Sequence, residues 1–185
     1  MKLSDCKLCP MLVSTRNRIV SATGTFKTDI MFIGDAPGKE DDKEGVPFVG
    51  RAGKVFNRIL EYLGLSRETV FITYVIKCKP MEPNSKKNRQ PTPQEMLNCS
   101  KWLELEIKKV KPKLIVVMGS VALEKITGLR YIMRHHGRAI KSERHKCYIF
   151  PSLSPAATLY DPTGTNEMLK VDLKKLKRLI KWLRS

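Results

Sequence analysis

Four short apolar runs, at residues 30–33, 70–76, 114–118 and 148–150, constrain the fold of this chain more than any other feature. Each is continuous and rich in β-branched or aromatic residues. Each therefore reads as a strand covered on both faces, the pattern of a buried parallel sheet rather than a half-exposed antiparallel one. Segments of helical period lie between them. Val55, Phe56, Ile59, Leu60 and Leu63 share one face of a helix that closes at Gly64. Thr92-Pro93-Gln94-Glu95 supplies an N-cap, a first-turn proline and a capping glutamate, with Met96, Cys99, Leu103 and Ile107 following at helical spacing. Ser120 to Ile126 forms a short helix closed by Gly128. Leu169, Leu173, Leu176, Ile180 and Leu183 stripe a last helix whose other faces carry Lys and Arg, and the stripe reads as core-facing. The alternation predicts an α/β fold, a three-layer α/β/α sandwich on a four-stranded parallel sheet, built as one domain over residues 1–185.

Parallel sheets build their sites at the carboxyl ends of the strands, so the loops that begin at Gly34, Lys77, Gly119 and Pro151 are the ones to inspect. In the first of them Asp35 sits at the strand exit, and Gly34 and Gly38 allow backbone to pass close to a ligand. Phe48 stands in a Gly/Pro-framed turn able to hold a ring as a platform. The pattern equally fits a plain turn in which an aspartate caps the next helix and the phenylalanine is core. The stretch 79–91 is the one long loop, polar, basic and bounded by prolines.

Cys6 and Cys9 have two residues between them, and Cys78 and Cys99 follow with twenty between them. One site on all four would tie the N-terminus to the middle of the fold. Thiolate quartets suit zinc or an iron–sulfur cluster, and spacing alone leaves both open. Cys147 lies inside an apolar run and reads as a buried strand residue. The first residues lack the apolar core of a secretory signal, so reduced thiols and a cytoplasmic location are expected.

The chain carries 35 Lys+Arg against 18 Asp+Glu, a net charge of +17. Basic residues recur along its length, at Lys77, Lys79, Lys86, Lys87, Arg89, Arg130, Arg134, Arg138 and Lys141 among others. Such an excess points to a polyanion, because every phosphate neutralised releases a counterion. A merely solvated, lysine-rich surface is the plain alternative. No run of 18 apolar residues exists, so no membrane span is expected.

Taken in order, Gly34-Asp35-Ala36-Pro37-Gly38, an acidic run, Gly45-Val46-Pro47-Phe48-Val49-Gly50-Arg51-Ala52-Gly53, Lys77-Cys78-Lys79-Pro80, Pro91-Thr92-Pro93-Gln94-Glu95 leading to Cys99, and Ser154-Pro155-Ala156-Ala157 resemble the family 4 uracil-DNA glycosylases. The resemblance runs from Cys6 to about Leu159. It implies a [4Fe–4S] cluster on Cys6, Cys9, Cys78 and Cys99, and a monomeric DNA-repair enzyme that flips a damaged base out of double- or single-stranded DNA and hydrolyses its N-glycosidic bond. It implies catalytic carboxylates at Asp35 and Asp41 and base contacts from Ala36, Gly38, Phe48, Tyr74 and Ser154. Lys86, Lys87, Arg89, Arg134 and Arg138 would meet DNA, and Leu159 would wedge into the stack.

Three positions depart from the family pattern. The family more often has Glu at 35, usually has Asn at 74 and usually has His at 154. A tyrosine hydroxyl cannot donate and accept as an amide does across the edge of uracil, and serine has shorter reach than imidazole. The departures predict a different lesion preference or slow action on uracil. The rival reading is a catalytically silent, cluster-bearing DNA-binding module.

Overall fold

The computed structural model describes residues 2–82, 88–161 and 164–185. Its helices are α1 (Pro10–Thr15), α2 (Lys39–Glu44), α3 (Arg51–Leu63), α4 (Pro93–Val110), α5 (Ser120–Thr127), α6 (Ile132–His135) and α7 (Gly164–Arg184). The strands are β1 (Thr23–Gly24), β2 (Ile30–Gly34), β3 (Phe71–Tyr74), β4 (Leu114–Met118), β5 (Ile140–Ser142) and β6 (Cys147–Ser152). They form one sheet in the order β1-β3-β2-β4-β6-β5, and the inner four are parallel.

The four-stranded parallel core matches the sequence expectation. The sheet is wider by two antiparallel edge strands, β1 and β5. Both are two or three residues long and only partly buried, so neither carries an apolar run for pattern reading to find. Short polar edges of this kind also blunt edge-to-edge association. Pro151 is tolerated within β6 because the pairing with β5 ends at the Ile140–Ile149 pair, leaving no partner strand to need its missing N–H on that side.

Alternating side chains of the buried strands feed two cores. Phe32, Ile72, Val116 and Phe150 point into one with Phe56, Ile59 and Leu60 of α3 and Leu169, Leu176 and Ile180 of α7. Met31, Ile33, Phe71, Ile115 and Ile149 point into the other, with Leu103 and Ile107 of α4 and Leu123 and Ile126 of α5. Cys147 belongs to the second core and is buried, as expected of a strand residue. Thr92 and Glu95 form the anticipated reciprocal cap of α4, and Gly64 and Gly128 close α3 and α5 in left-handed conformations.

Two basic residues read as surface are not. Lys77 is 1% exposed and Lys79 is 5% exposed. The Lys77 ammonium bonds Glu106 of α4 at 2.7 Å, the Tyr74 carbonyl at 2.8 Å, and the Thr73 hydroxyl. β3 ends at Tyr74 and the chain then bends, and this ion pair fastens the bend to α4. Removing one partner of such a pair costs about 3–5 kcal/mol. Lys77→Met is therefore expected to lower the urea midpoint clearly, with the half-buried Glu106 left uncompensated.

Candidate active-site cleft

A cleft of about 320 Å³ opens at the carboxyl ends of the parallel strands, within the usual size range of small-molecule sites. Asp35, the first residue beyond β2, lines it. Its Oδ1 accepts the Ala122 N–H at 2.7 Å, in the first turn of α5. Gly119 precedes that turn at φ +119°, and any side chain there would collide with the Asp35 carboxylate. Burial pushes the Asp35 carboxyl up to about 6, while the Ala122 and Val121 amides pull it down by less. A carboxylate held rigidly in a cleft and poised near neutrality is the profile of a group that handles charge or protons.

Asp41 has a different setting. It is buried in α2, and its carboxylate accepts N–H groups from Gly38 at 2.9 Å and Val49 at 2.9 Å and the Tyr74 hydroxyl at 2.8 Å. The Tyr74 oxygen in turn accepts the Phe48 N–H at 3.1 Å. Burial, together with the Asp41 charge, raises the Tyr74 hydroxyl well above its ordinary range, so it remains a donor to Asp41. Both hydrogen-bonding capacities of Tyr74 are thus spent within the loop. Phe48 sits at φ 55°, a left-handed conformation costly for a bulky residue. Arg67 holds it there by donating to the Pro47 carbonyl at 2.9 Å and to the Phe48 carbonyl.

Phe48 lines the cleft but is only 5% exposed. Its ring stacks on Phe56 at 4.6 Å and leans on Tyr74 at 4.7 Å. Gly34 is glycine because these rings close over it: a methyl there would stand 2.6 Å from Phe48 and 2.7 Å from Tyr74. Gly38 caps α2 through its N–H, and Ala36 lies on the cleft wall with it. Tyr74→Phe would orphan the Phe48 N–H and remove a donor from Asp41, at a cost of about 1–3 kcal/mol in buried surroundings. Urea unfolding of that variant measures the strength of the brace.

Ser154 reaches the cleft from the opposite side. Its Oγ accepts the Ala156 N–H at 3.3 Å, which leaves the hydroxyl proton free to donate. Leu159, expected as a wedge, is half-buried in the turn Ala157–Leu159, whereas the next residue, Tyr160, is 89% exposed on the cleft rim. No sequence periodicity distinguishes the two. Asn88 and Gln90 also line the cleft. Nothing in the sequence marks them, because the loop 79–91 reads chiefly as basic. Arg89 does not project as a free cation: its guanidinium grips Glu95 at 2.6 and 2.8 Å and two carbonyls, pinning the loop to α4. Arg134 and Arg138 are exposed beside the exit of β6, where the intervening Gly137 N–H bonds the Pro151 carbonyl at 2.9 Å. Lys86 and Lys87 lie outside the described residues.

Cys6, Cys9, Cys78 and Cys99 line one small apolar cavity between the N-terminal segment, the bend after β3 and α4. Three of the sulfurs face N–H donors: Arg16 at 3.2 Å from Cys78, the Lys77 amide at 3.3 Å from Cys99, and Asn98 at 3.6 Å from Cys9. Burial pushes the Cys99 thiol up to about 11 and raises Cys9 and Cys78 as well. Donors around buried sulfur suit a thiolate-bound metal group, whose positive charge supplies what burial withholds. Among the described residues, no three Cys, His, Asp or Glu stand close enough to grip a single metal ion. No helix among the described residues is long and apolar enough to cross a membrane.

Comparison with known proteins identifies the family and the fold. The model of the uracil DNA glycosylase superfamily matches residues 22–177. The chain is 38% identical over 190 residues to a type-4 uracil-DNA glycosylase of Sulfurisphaera tokodaii, covering 95% of this chain and 80% of that one. It is 37% identical to the type-4 enzyme of Archaeoglobus fulgidus, covering 96% and 89%. A Methanosarcina acetivorans protein solved by NMR shares the fold, with a TM-score of 0.53 at 17% identity over 86% of this chain and 98% of that one.

Proposed function

The chain belongs to the uracil-DNA glycosylase superfamily, among relatives of type 4, and on that premise we propose how its cleft works. The protein is a DNA-repair glycosylase, a hydrolase of the bond between a base and its deoxyribose. The glycosidic carbon is shielded in a stacked duplex, so the nucleotide enters the cleft flipped. Departure of the base leaves positive charge on the sugar and negative charge on the base. Asp35 in its ionised form faces the sugar, stabilises that cation and orients the attacking water. The Ser154 hydroxyl and cleft-wall amides receive the charge on the base.

Asp41 supports a positioning role rather than the chemical one, because its carboxylate is already bonded to Gly38, Val49 and Tyr74. Tyr74 contributes shape and a strut for Phe48, not hydrogen bonds to the base. Reading of the base edge falls to Ser154 and to the amides of Asn88 and Gln90. Tyr160, rather than Leu159, fills the gap left in the stack, and Arg134 and Arg138 hold phosphates. The four cysteines hold a [4Fe–4S] cluster. When bound it supplies charge to the thiolates and a cross-link between the N-terminus, the bend after β3 and α4, and no step of base release passes through it. The chain acts as a monomer.

The single observation that carries this reading is Asp35, a carboxylate raised to about 6 and clamped on the N-terminus of α5 inside the cleft. Base release from duplexes with uracil, hypoxanthine or thymine opposite guanine, and from single-stranded uracil, tests it. Uracil release is expected, with weak discrimination against the other bases, because a spent tyrosine replaces a reading amide. Selective uracil release at the rate of an amide-bearing relative would refute the role given to Tyr74. Tight DNA binding with no base released would leave the silent module.

A further inference from the structure

A second anion surface lies on the far end of the α3/α7 layer. From residue 173 onward the solvent side of α7 carries Lys174, Lys175, Lys177, Arg178, Lys181 and Arg184, and no acidic side chain. At about 100° per residue, all of these except Lys175 fall within an arc of roughly 120°. The same five line a groove of about 760 Å³ against Tyr62 and Leu63 at the end of α3. Lys177 fixes the two helices there, donating to the Tyr62 carbonyl at 2.8 Å with its ammonium 4.7 Å from the Tyr62 ring.

On this surface the basic side chains cluster with no carboxylate among them. Elsewhere some exposed cations are paired, Lys113 with Asp29, Arg144 with Glu104, Arg130 with Glu124 and Lys170 with Glu167, at 2.6 to 3.1 Å, while others such as Arg134 and Arg138 stand singly. Among the described residues, Lys174, Arg178, Lys181 and Arg184 have no ion-pair partner. Packing like charges in a concave surface raises the local potential and costs self-repulsion, which a bound polyanion relieves. A membrane surface fits less well, because the main apolar stripe of α7, Leu169, Leu173, Leu176 and Ile180, is buried, and the exposed Met168, Val171 and Trp182 offer little area to insert.

The groove is also distinct from the cleft. Ala52 at the start of α3 lines the cleft, and Tyr62 lies about 15 Å further along the helix at 1.5 Å per residue. Arg51 and Arg58 are exposed along that interval and on the same side of α3 as Tyr62. We propose that the α3/α7 groove is a second DNA-binding surface, which holds the phosphate backbone of a duplex segment other than the one whose base occupies the cleft. It reads no sequence and needs no damaged base.

The triple variant Lys174→Glu, Arg178→Glu, Lys181→Glu tests this with an undamaged labelled duplex. Each phosphate contact contributes about 0.9 to the slope of log affinity against log salt, so loss of three lowers the slope by about 2.7. The variant is also expected to lose capture of a second, free duplex by protein already bound to an immobilised one. Single-turnover base release from a short oligonucleotide stays at the wild-type rate, which certifies the fold and the cleft. An unchanged salt slope with capture retained would overturn the proposal. So would a polyglutamate peptide that binds wild type and not the variant while duplex affinity is the same for both, since the groove would then serve an acidic protein. The binding readouts do not depend on base release, so failure of the glycosylase reading would be separately visible.

Discussion

Asp35→Asn is expected to slow single-turnover base release by roughly 10²- to 10⁴-fold, the range typical of a positioned acid–base group, with DNA affinity little changed. The amide keeps an oxygen for the Ala122 N–H, so the clamp on α5 persists while the negative charge disappears. Wild-type release should rise with pH in proportion to ionised Asp35, level off above about 6, and lose that dependence in the variant. Stability should move the opposite way. The carboxyl is raised from 3.8 to about 6 on folding, so between those values the folded protein binds more protons there than the unfolded chain does. Stability therefore falls as pH rises through that window, and above it the ionised carboxylate costs at most about 3 kcal/mol. Asp35→Asn should thus be the more stable protein at pH 7 in urea unfolding while being the poorer enzyme. Asp41→Asn should do the reverse, losing stability first, because it dismantles a brace rather than a reacting charge. Full base release by Asp35→Asn would remove this residue from the chemistry.

The fold was legible where burial writes a period into the sequence. The four inner strands are apolar on both faces because helices cover both, and that continuity exposes them as parallel. β1 and β5 were not legible: two or three half-exposed residues have no pattern, and only the register with β3 and β6 makes them strands. Lys77 shows the converse error. A lysine beside Cys78 reads as part of a basic loop, and its burial depends on Glu106, 29 residues away in sequence and visible only once α4 packs on the bend.

In the cleft, residue types were legible and their bonds were not. Asp35 and Asp41 are indistinguishable as letters six apart. What separates them is that one meets the amides of α5 and the other meets Gly38, Val49 and Tyr74. Tyr74 was recognisable as a departure from the amide expected there, but its role as a strut for a left-handed Phe48 follows from a hydroxyl that bridges residues 26 and 33 positions away. The unusual backbone at Phe48 leaves no mark on the sequence, because a non-glycine residue with positive φ is stabilised by its surroundings, here Arg67 and Tyr74.

Cys99→Ser is expected to have the largest effect on the folded state. Cys99 starts from the most shielded position of the quartet, with its thiol pushed up to about 11, so it becomes a ligand only where iron charge compensates for burial. Serine cannot replace that soft thiolate. The variant should lose iron and sulfide on purification and lose the broad visible absorbance of the cluster. Without that cross-link, the N-terminal segment through α1 is held by Leu12, its single buried side chain, in the second core, by Arg16, which donates to the Cys6 carbonyl and to Cys78, and by the contact of Asn98 with the Leu8 carbonyl. The hydrogen bonds contribute about 1 kcal/mol each and the one buried leucine about 1.5–3 kcal/mol. Residues 2–16 should therefore become sensitive to protease and exchange amide hydrogens rapidly, while the sheet retains its protection. Cys147→Ser provides the contrast: it sits in the opposite end of the same core, lines no part of the cysteine cavity, and should leave the iron content unchanged. Wild-type iron content in Cys99→Ser, or a loss in Cys147→Ser equal to that in Cys99→Ser, would overturn the assignment of the four ligands.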